Sequence, residues 1–209
     1  MCNLYRLRSA AAEVAHHFSA SLTALPNVGE EVYPGASGLV VIEADGAREL
    51  KSMVWGFPLP QKSKKTGLPI KPKPVNNIAN LDSFMWRHIA PRPANRCLIP
   101  ATEFAEAEGE RGAKTRTWFS VRDEPVFAWA GMWRDSDEWG PVYSGLMTDA
   151  NAAVAPVHDR MPVILHAADH AAWMHGDIDD VRKFQARVLP AEAIVVDRTG
   201  ESWLRRGQH

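Results

Sequence analysis

The chain has 209 residues, 45% of them hydrophobic and 23% charged, with a formal net charge of -1, which suits one domain with a sizeable buried core. Two cysteines, Cys2 and Cys97, argue for a reducing compartment and against a disulfide framework. No stretch reaches the roughly 18 apolar residues of a membrane span and no leader pattern opens the chain, so a cytoplasmic location is expected.

The first stretch is Met1-Cys2-Asn3, followed by the strand-like run Leu4-Tyr5-Arg6-Leu7-Arg8. Removal of Met1 leaves Cys2 as a 1,2-aminothiol, whose amine titrates near about 7.7 to 8.0 and whose thiol near about 8.5. Such a group condenses with aldehydes: the amine forms an imine and the thiol closes a thiazolidine ring. The alternative is a small apolar strand residue, since a buried cysteine behaves as a hydrophobe.

Ser9 is placed to cap a short helix over 9–19, with Val14 and Phe18 on its buried face. After a Pro- and Gly-containing loop, strands over 39–44 and 47–55 flank Asp45-Gly46, a dipeptide suited to a type I′ turn. Residues 57–75 carry Pro58, Pro60, Pro69, Pro72 and Pro74 together with Lys62, Lys64, Lys65, Lys71 and Lys73, and are expected to form an extended, exposed basic loop without regular structure. Between residues 50 and 102 nine Lys and Arg face the single acid Asp82, an excess of about eight positive charges that marks either a polyanion site or a solvated loop.

Asp82 or Ser83 is expected to cap a helix through Phe84, Trp86 and His88, stopped by Pro91. From Arg96 onward strands are expected over 96–100, 103–108, 115–121, 126–133, 142–148 and 161–165, then helices over 168–175 and 178–187, and a last strand over 194–196. The pattern predicts a single α+β domain over 1–209, with a mostly antiparallel, barrel-like sheet flanked by short helices.

Three segments place polar groups at strand ends or turns. Asn76 and Asn77 follow the basic loop, where asparagine also serves simply as a turn residue. In Phe104-Ala105-Glu106 strand alternation puts Glu106 on the face of Phe104; if that face is inward, a raised pKa suits Glu106 to proton transfer. Thr148 and Asn151 precede His158-Asp159-Arg160, where His158 exchanges protons near neutrality and Arg160 is suited to binding a phosphate or carboxylate. His166, His170 and His175 lack the partners of a zinc set and are read as a partly exposed polar helix face; Trp118, Trp129 and Trp133 are read as packing.

These residues together give a recognisable pattern: Met1-Cys2, Trp55-Gly56, Asn77, Arg96-Cys97-Leu98-Ile99-Pro100 with Phe104-Ala105-Glu106, Gly131-Met132-Trp133 and His158-Asp159-Arg160-Met161-Pro162. The chain resembles the SOS response-associated peptidase (SRAP) family, whose members capture abasic sites in single-stranded DNA. The resemblance implies that Cys2 is the crosslinking nucleophile, Asn77 positions its amine, Glu106 shuttles protons, His158 assists opening of the abasic sugar and Arg160 meets a neighbouring phosphate. Lys62, Lys64, Lys65, Lys71, Lys73, Thr148 and Asn151 complete the expected DNA-contacting set. The chain departs from the family pattern at Asn3 and Leu4, where Gly-Arg is usual, at Ala79 in place of an arginine, and in Leu59-Pro60-Gln61, which lacks a tryptophan.

The leading expectation is therefore a crosslinking, lyase-type protein acting in the DNA damage (SOS) response on abasic single-stranded DNA. It would work without cofactor, metal or membrane, as a monomer, and be nucleoid-associated when bound. The alternatives are an N-terminal cysteine peptidase that removes its own Met1, and a non-covalent single-stranded DNA binder.

Overall fold

A computed structural model describes residues 2–24 and 26–203. The elements run in chain order from β1 (Tyr5–Arg6) and α1 (Ala11–His17) to β2 (Glu31–Val32), β3 (Ser37–Ala44) and β4 (Ala47–Trp55). Next come β5 (Phe57–Lys62), β6 (Pro69–Val75) and β7 (Asn77–Ile78). The second half begins with β8 (Arg96–Ala101), β9 (Glu103–Glu108), β10 (Thr115–Val121), β11 (Phe127–Ser136) and β12 (Gly140–Asp149). It ends with β13 (Arg160–Pro162), β14 (Ile164–Leu165), α2 (His170–His175), α3 (Ile178–Ala186) and β15 (Ile194–Ser202).

The fold is α+β, and its large sheet is mixed. β12 pairs antiparallel with β11 and β13 but parallel with β4 and β7. The pairings β12, β4, β3, β8, β11 return to β12, so the sheet is ring-like. Two seams are thin: β3 meets β8 at Val41 and Leu98 alone, and β4 meets β12 at two register positions. The expected barrel-like sheet is therefore a ring without a fully paired wall. A second sheet, ordered β15-β10-β9-β1-β2, packs its inner face against the ring, where Phe104 and Phe119 stack at 5.0 Å in one core with Cys2, Trp55 and Trp129.

The β3–β4 hairpin turns as its sequence dictates, with Asp45 and Gly46 at φ 51° and 75°. α1 buries Val14 and Phe18 as expected, but its N-cap is Ala10, whose N–H is taken by Glu13 at 3.2 Å.

Two expectations require correction. Residues 57–75 are not irregular: β5 and β6 form a two-stranded antiparallel hairpin. Pro58 faces Pro74, Leu59 faces Lys73 and Lys62 faces Pro69, so non-proline residues keep N–H groups for the ladder between them, while Pro60 and Pro72 fall where the register shifts between Leu59 and Gln61. The segment over 81–91 is not an α-helix but a run of turns, with bonds from the Trp86 and Arg87 N–H groups both converging on the Ser83 carbonyl. Leu81, Trp86 and Ala90 are drawn into the core from it, and Pro91 and Pro93 prevent the chain from lengthening those turns into a helix.

Candidate nucleic-acid-processing site

The site is built where the first residues of the chain meet the β6–β7 junction and the inner face of β9. β1 lies between β2 and β9, and Tyr5 fixes its depth: the Tyr5 hydroxyl is hydrogen-bonded to the Tyr143 hydroxyl of β12, and its ring meets Trp55 and Trp129 edge-on at 5.0 and 6.0 Å. Burial raises the pKa of both phenols, so the pair is neutral. The outer face of β1 is held by an Arg6–Glu103 ion pair, with the guanidinium 3.9 Å over the Trp118 ring.

Cys2 is fully buried, and its thiol donates to the Leu4 carbonyl at 3.4 Å. Burial raises the thiol pKa, and the carboxylate of Glu106 raises it further. The Cys2 carbonyl accepts two side-chain hydrogen bonds, from Asn76 Nδ2 and from Asn77 Nδ2, each at 2.8 Å. That junction is in turn fixed from β12 and β4. Ser144 Oγ donates to the Val75 carbonyl at 2.6 Å, and the Gly145 N–H and Trp55 Nε1–H both donate to the Asn76 carbonyl at 3.0 Å. Gly56, with φ 121° and Pro74 packed directly against its α-carbon, is the hinge by which the chain enters the hairpin; a β-carbon there would collide with Pro74.

Glu106 takes the inward face with Phe104, as alternation along β9 requires, and is only 4% exposed. Burial pushes its pKa up to about 7, and Asp159 adds to the rise while Lys114 opposes it. Among the described residues, two buried acceptors at this site have no hydrogen-bond partner: Glu106 Oε1 and Asn77 Oδ1. An unpaired buried acceptor costs on the order of 1 to 3 kcal/mol, a cost that a donor brought into the site relieves.

His158 is partly buried, which lowers its pKa. Two contacts converge on Nδ1: the Arg160 N–H donates to it at 3.0 Å, and Asp159 Oδ1 lies 2.9 Å away. The lowered pKa favours a neutral ring whose Nδ1 lone pair accepts from Arg160, so the backbone bond governs and Asp159 is a charged neighbour rather than an ion-pair partner. Asp159 and Lys114 influence both His158 and Glu106, which places these two titratable groups in one electrostatic field.

The structure thus brings Cys2, Asn77 and Glu106 into one buried site, with His158 in the same field. Arg160 lies at its rim, half-exposed, with Nε 3.5 Å from Asp149. Thr148 is buried, and Asn151 is committed internally, donating to the Leu189 carbonyl at 2.9 Å and accepting from the Ala153 and Val154 N–H groups. Lys62, Lys64, Lys65, Lys71 and Lys73 all lie on the β5–β6 hairpin on the solvent side, and β6 leads straight into Asn76 and Asn77. Sequence reasoning names Asn76 among its polar candidates, on the doubled asparagine at a strand end, but assigns it no role, and it does not reach Lys114.

His166, His170 and His175 engage separate neighbours, Glu124, the Phe18 ring and Glu43. Among the described residues no group of three or more His, Cys, Asp or Glu is arranged to hold a metal ion, and no helix is long and apolar enough to cross a membrane.

Two solved structures define the fold class. A protein from Bordetella bronchiseptica superposes with a TM-score of 0.76 at 21% identity, covering 95% of this chain and 99% of that one. A protein from Bacteroides thetaiotaomicron gives 0.76 at 18% identity, covering 94% and 91%. At the level of sequence, residues 1–199 match the family model described as SOS response associated peptidase (SRAP), and the chain belongs to that family. Among its relatives, abasic site processing protein YoqW of Bacillus subtilis is 26% identical over 168 residues, covering 78% of this chain and 73% of the relative. Abasic site processing protein YobE of the same organism is 26% identical over 171 residues, covering 78% and 75%.

Proposed function

We propose that this protein captures abasic sites in single-stranded DNA by forming a thiazolidine between Cys2, exposed by removal of Met1, and the ring-opened deoxyribose. The observation that supports this reading is the pair of acceptors left without a partner among the described residues, Asn77 Oδ1 and Glu106 Oε1, in the site where Asn77 also holds the Cys2 carbonyl. An α-amine on Cys2 supplies the N–H donors those acceptors lack.

The chemistry assigns each group a task. The Cys2 amine adds to the aldehyde carbon, the carbinolamine loses water to give an imine, and the thiol sulfur then adds to the imine carbon, its proton passing to the ring nitrogen. Glu106, poised at about 7, takes a proton from the ammonium and returns one to the departing hydroxyl. His158, largely neutral, serves the hemiacetal opening that presents the aldehyde. The lysines of the β5–β6 hairpin, with Arg160, attract the phosphate backbone without regard to sequence. Cleavage of the strand by β-elimination from the imine is a side reaction of the same intermediate.

The test is incubation of the protein beginning at Cys2 with an oligonucleotide containing one abasic site, followed by denaturing electrophoresis and intact mass spectrometry. The expected result is an adduct of protein plus DNA less one water, formed with the abasic strand and absent with an intact one. A cysteine hydrolase or a passive binder gives no such species, and its absence overturns the proposal.

A further inference from the structure

Asn77 holds the Cys2 carbonyl by one hydrogen bond, about which the Cys2–Asn3 peptide plane remains able to swing. Asn76 supplies a second donor at the same 2.8 Å distance, and its amide also reaches Asn3 Oδ1 at 3.3 Å. A carbonyl oxygen has two lone pairs, so the two amides saturate it and fix the plane. The amine of Cys2 is one torsion away from that plane. Fixing the plane therefore limits where the amine points relative to Asn77 Oδ1 and Glu106 Oε1.

Asn76 is well suited to this task. It is 8% exposed, and its own carbonyl is held by two donors from β4 and β12. Both neighbours of its Nδ2, the Cys2 carbonyl and Asn3 Oδ1, are acceptors, which settles which way the amide faces. Asn3 itself is exposed, so its contribution is to orient Asn76 and not to fill the core.

We infer that Asn76 is a second positioning residue for the Cys2 nucleophile, and that Asn3 acts through it by fixing the orientation of its amide. The inference rests on the aminothiol reading above. It gives the exposed Asn3 a defined part in the site.

The experiment is single-turnover adduct formation at several concentrations of abasic single strand, which separates the maximal rate from the half-saturating concentration. Asn76→Leu keeps the side chain's shape and removes its donors. It is expected to lower the maximal rate about tenfold, the value of one well-placed hydrogen bond, while half-saturation stays within about twofold. Asn3→Ala, at an exposed position and so safe for folding, is expected to slow the wild-type protein about threefold and to add nothing in the Asn76→Leu background. Asn76→Gln, which keeps the donors on a longer arm, is expected to recover part of the rate. A purely structural role would lower the melting temperature without this split between rate and saturation. The inference is overturned if Asn76→Leu reacts at the wild-type maximal rate, or if Asn3→Ala slows both backgrounds equally. A wild-type protein that forms no adduct at all overturns the aminothiol reading, and this inference with it.

Discussion

The Cys2 site and the β5–β6 hairpin are adjacent in the chain and opposite in physical character. At the site the polar groups are buried and held by partners distant in sequence: Asn76 and Asn77 reach back to residue 2 across more than seventy positions, and Glu106 is almost without solvent. On the hairpin five lysines stand towards water beside the exposed Leu68 and Ile70. Charges in the first region act in a low dielectric, where one misplaced group changes a rate by orders of magnitude; charges in the second are screened by salt and act additively. On the proposed function the contrast would separate reaction from affinity, and variants in the two regions are expected to fail differently.

The largest expected effect comes from Cys2→Ser. The amine is kept and the sulfur is removed, so the stable adduct disappears. A transient imine remains and is trapped by borohydride. A stable adduct from Cys2→Ser, checked on a denaturing gel, would remove the thiol from the account.

Next come Glu106→Gln and His158→Gln, each expected to slow adduct formation by about 10²- to 10⁴-fold while affinity for an intact strand is kept. For Glu106 the pH dependence is specific. With its pKa near 7, the wild-type rate should inflect there, and Glu106→Gln should lose that inflection. Stability carries the opposite sign. A carboxyl whose pKa is raised by folding binds its proton more tightly in the native state, so its ionisation destabilises the fold as pH rises from about 4.5 towards 7. The melting temperature of Glu106→Gln relative to wild type should therefore climb between about pH 5 and pH 8, by the equivalent of a few kcal/mol at most. A flat difference across that range would mean that Glu106 is not the desolvated acid described here.

The smallest expected effect is on the hairpin. Replacing Lys64, Lys65 and Lys71 by Gln should weaken binding to single strands. The salt dependence should flatten by up to about 0.7 for each phosphate no longer neutralised, with the maximal rate of capture unchanged. An unchanged salt slope would take the hairpin out of the DNA path.

The same contrast explains what is legible in the sequence. The strands over 103–108 and 115–121 can be read to the residue because alternation and turn residues are local signals. Glu106 is legible for that reason, its inward face following from Phe104. The hairpin over 57–75 is hidden by its prolines, which weigh as breakers; a two-stranded ribbon has two open edges and accommodates Pro60 and Pro72 at a register shift. The turns over 81–91 resemble a helix in sequence because the apolar spacing of Trp86 and its neighbours fits either form, and tertiary burial decides between them. Asn76 is legible as a polar candidate, but its part is hidden for a different reason. Its role depends on β6 delivering it to residue 2, and no local pattern encodes a contact across that distance. The parallel pairings of β12 with β4 and β7 are equally invisible, since parallel register carries no turn signature.

The central claim is that the amine and thiol of Cys2 act together, and it is tested most directly by matched proteins beginning at Met1 and at Cys2. A peptide bond to Met1 turns the amine into an amide that forms no imine, although the thiol remains. Intact mass spectrometry after exposure to abasic single-stranded DNA should find the denaturation-stable adduct on the protein that begins at Cys2 and none on the protein in which Met1 persists. Equal yields from the two, with Met1 still present in the first, would contradict the aminothiol mechanism.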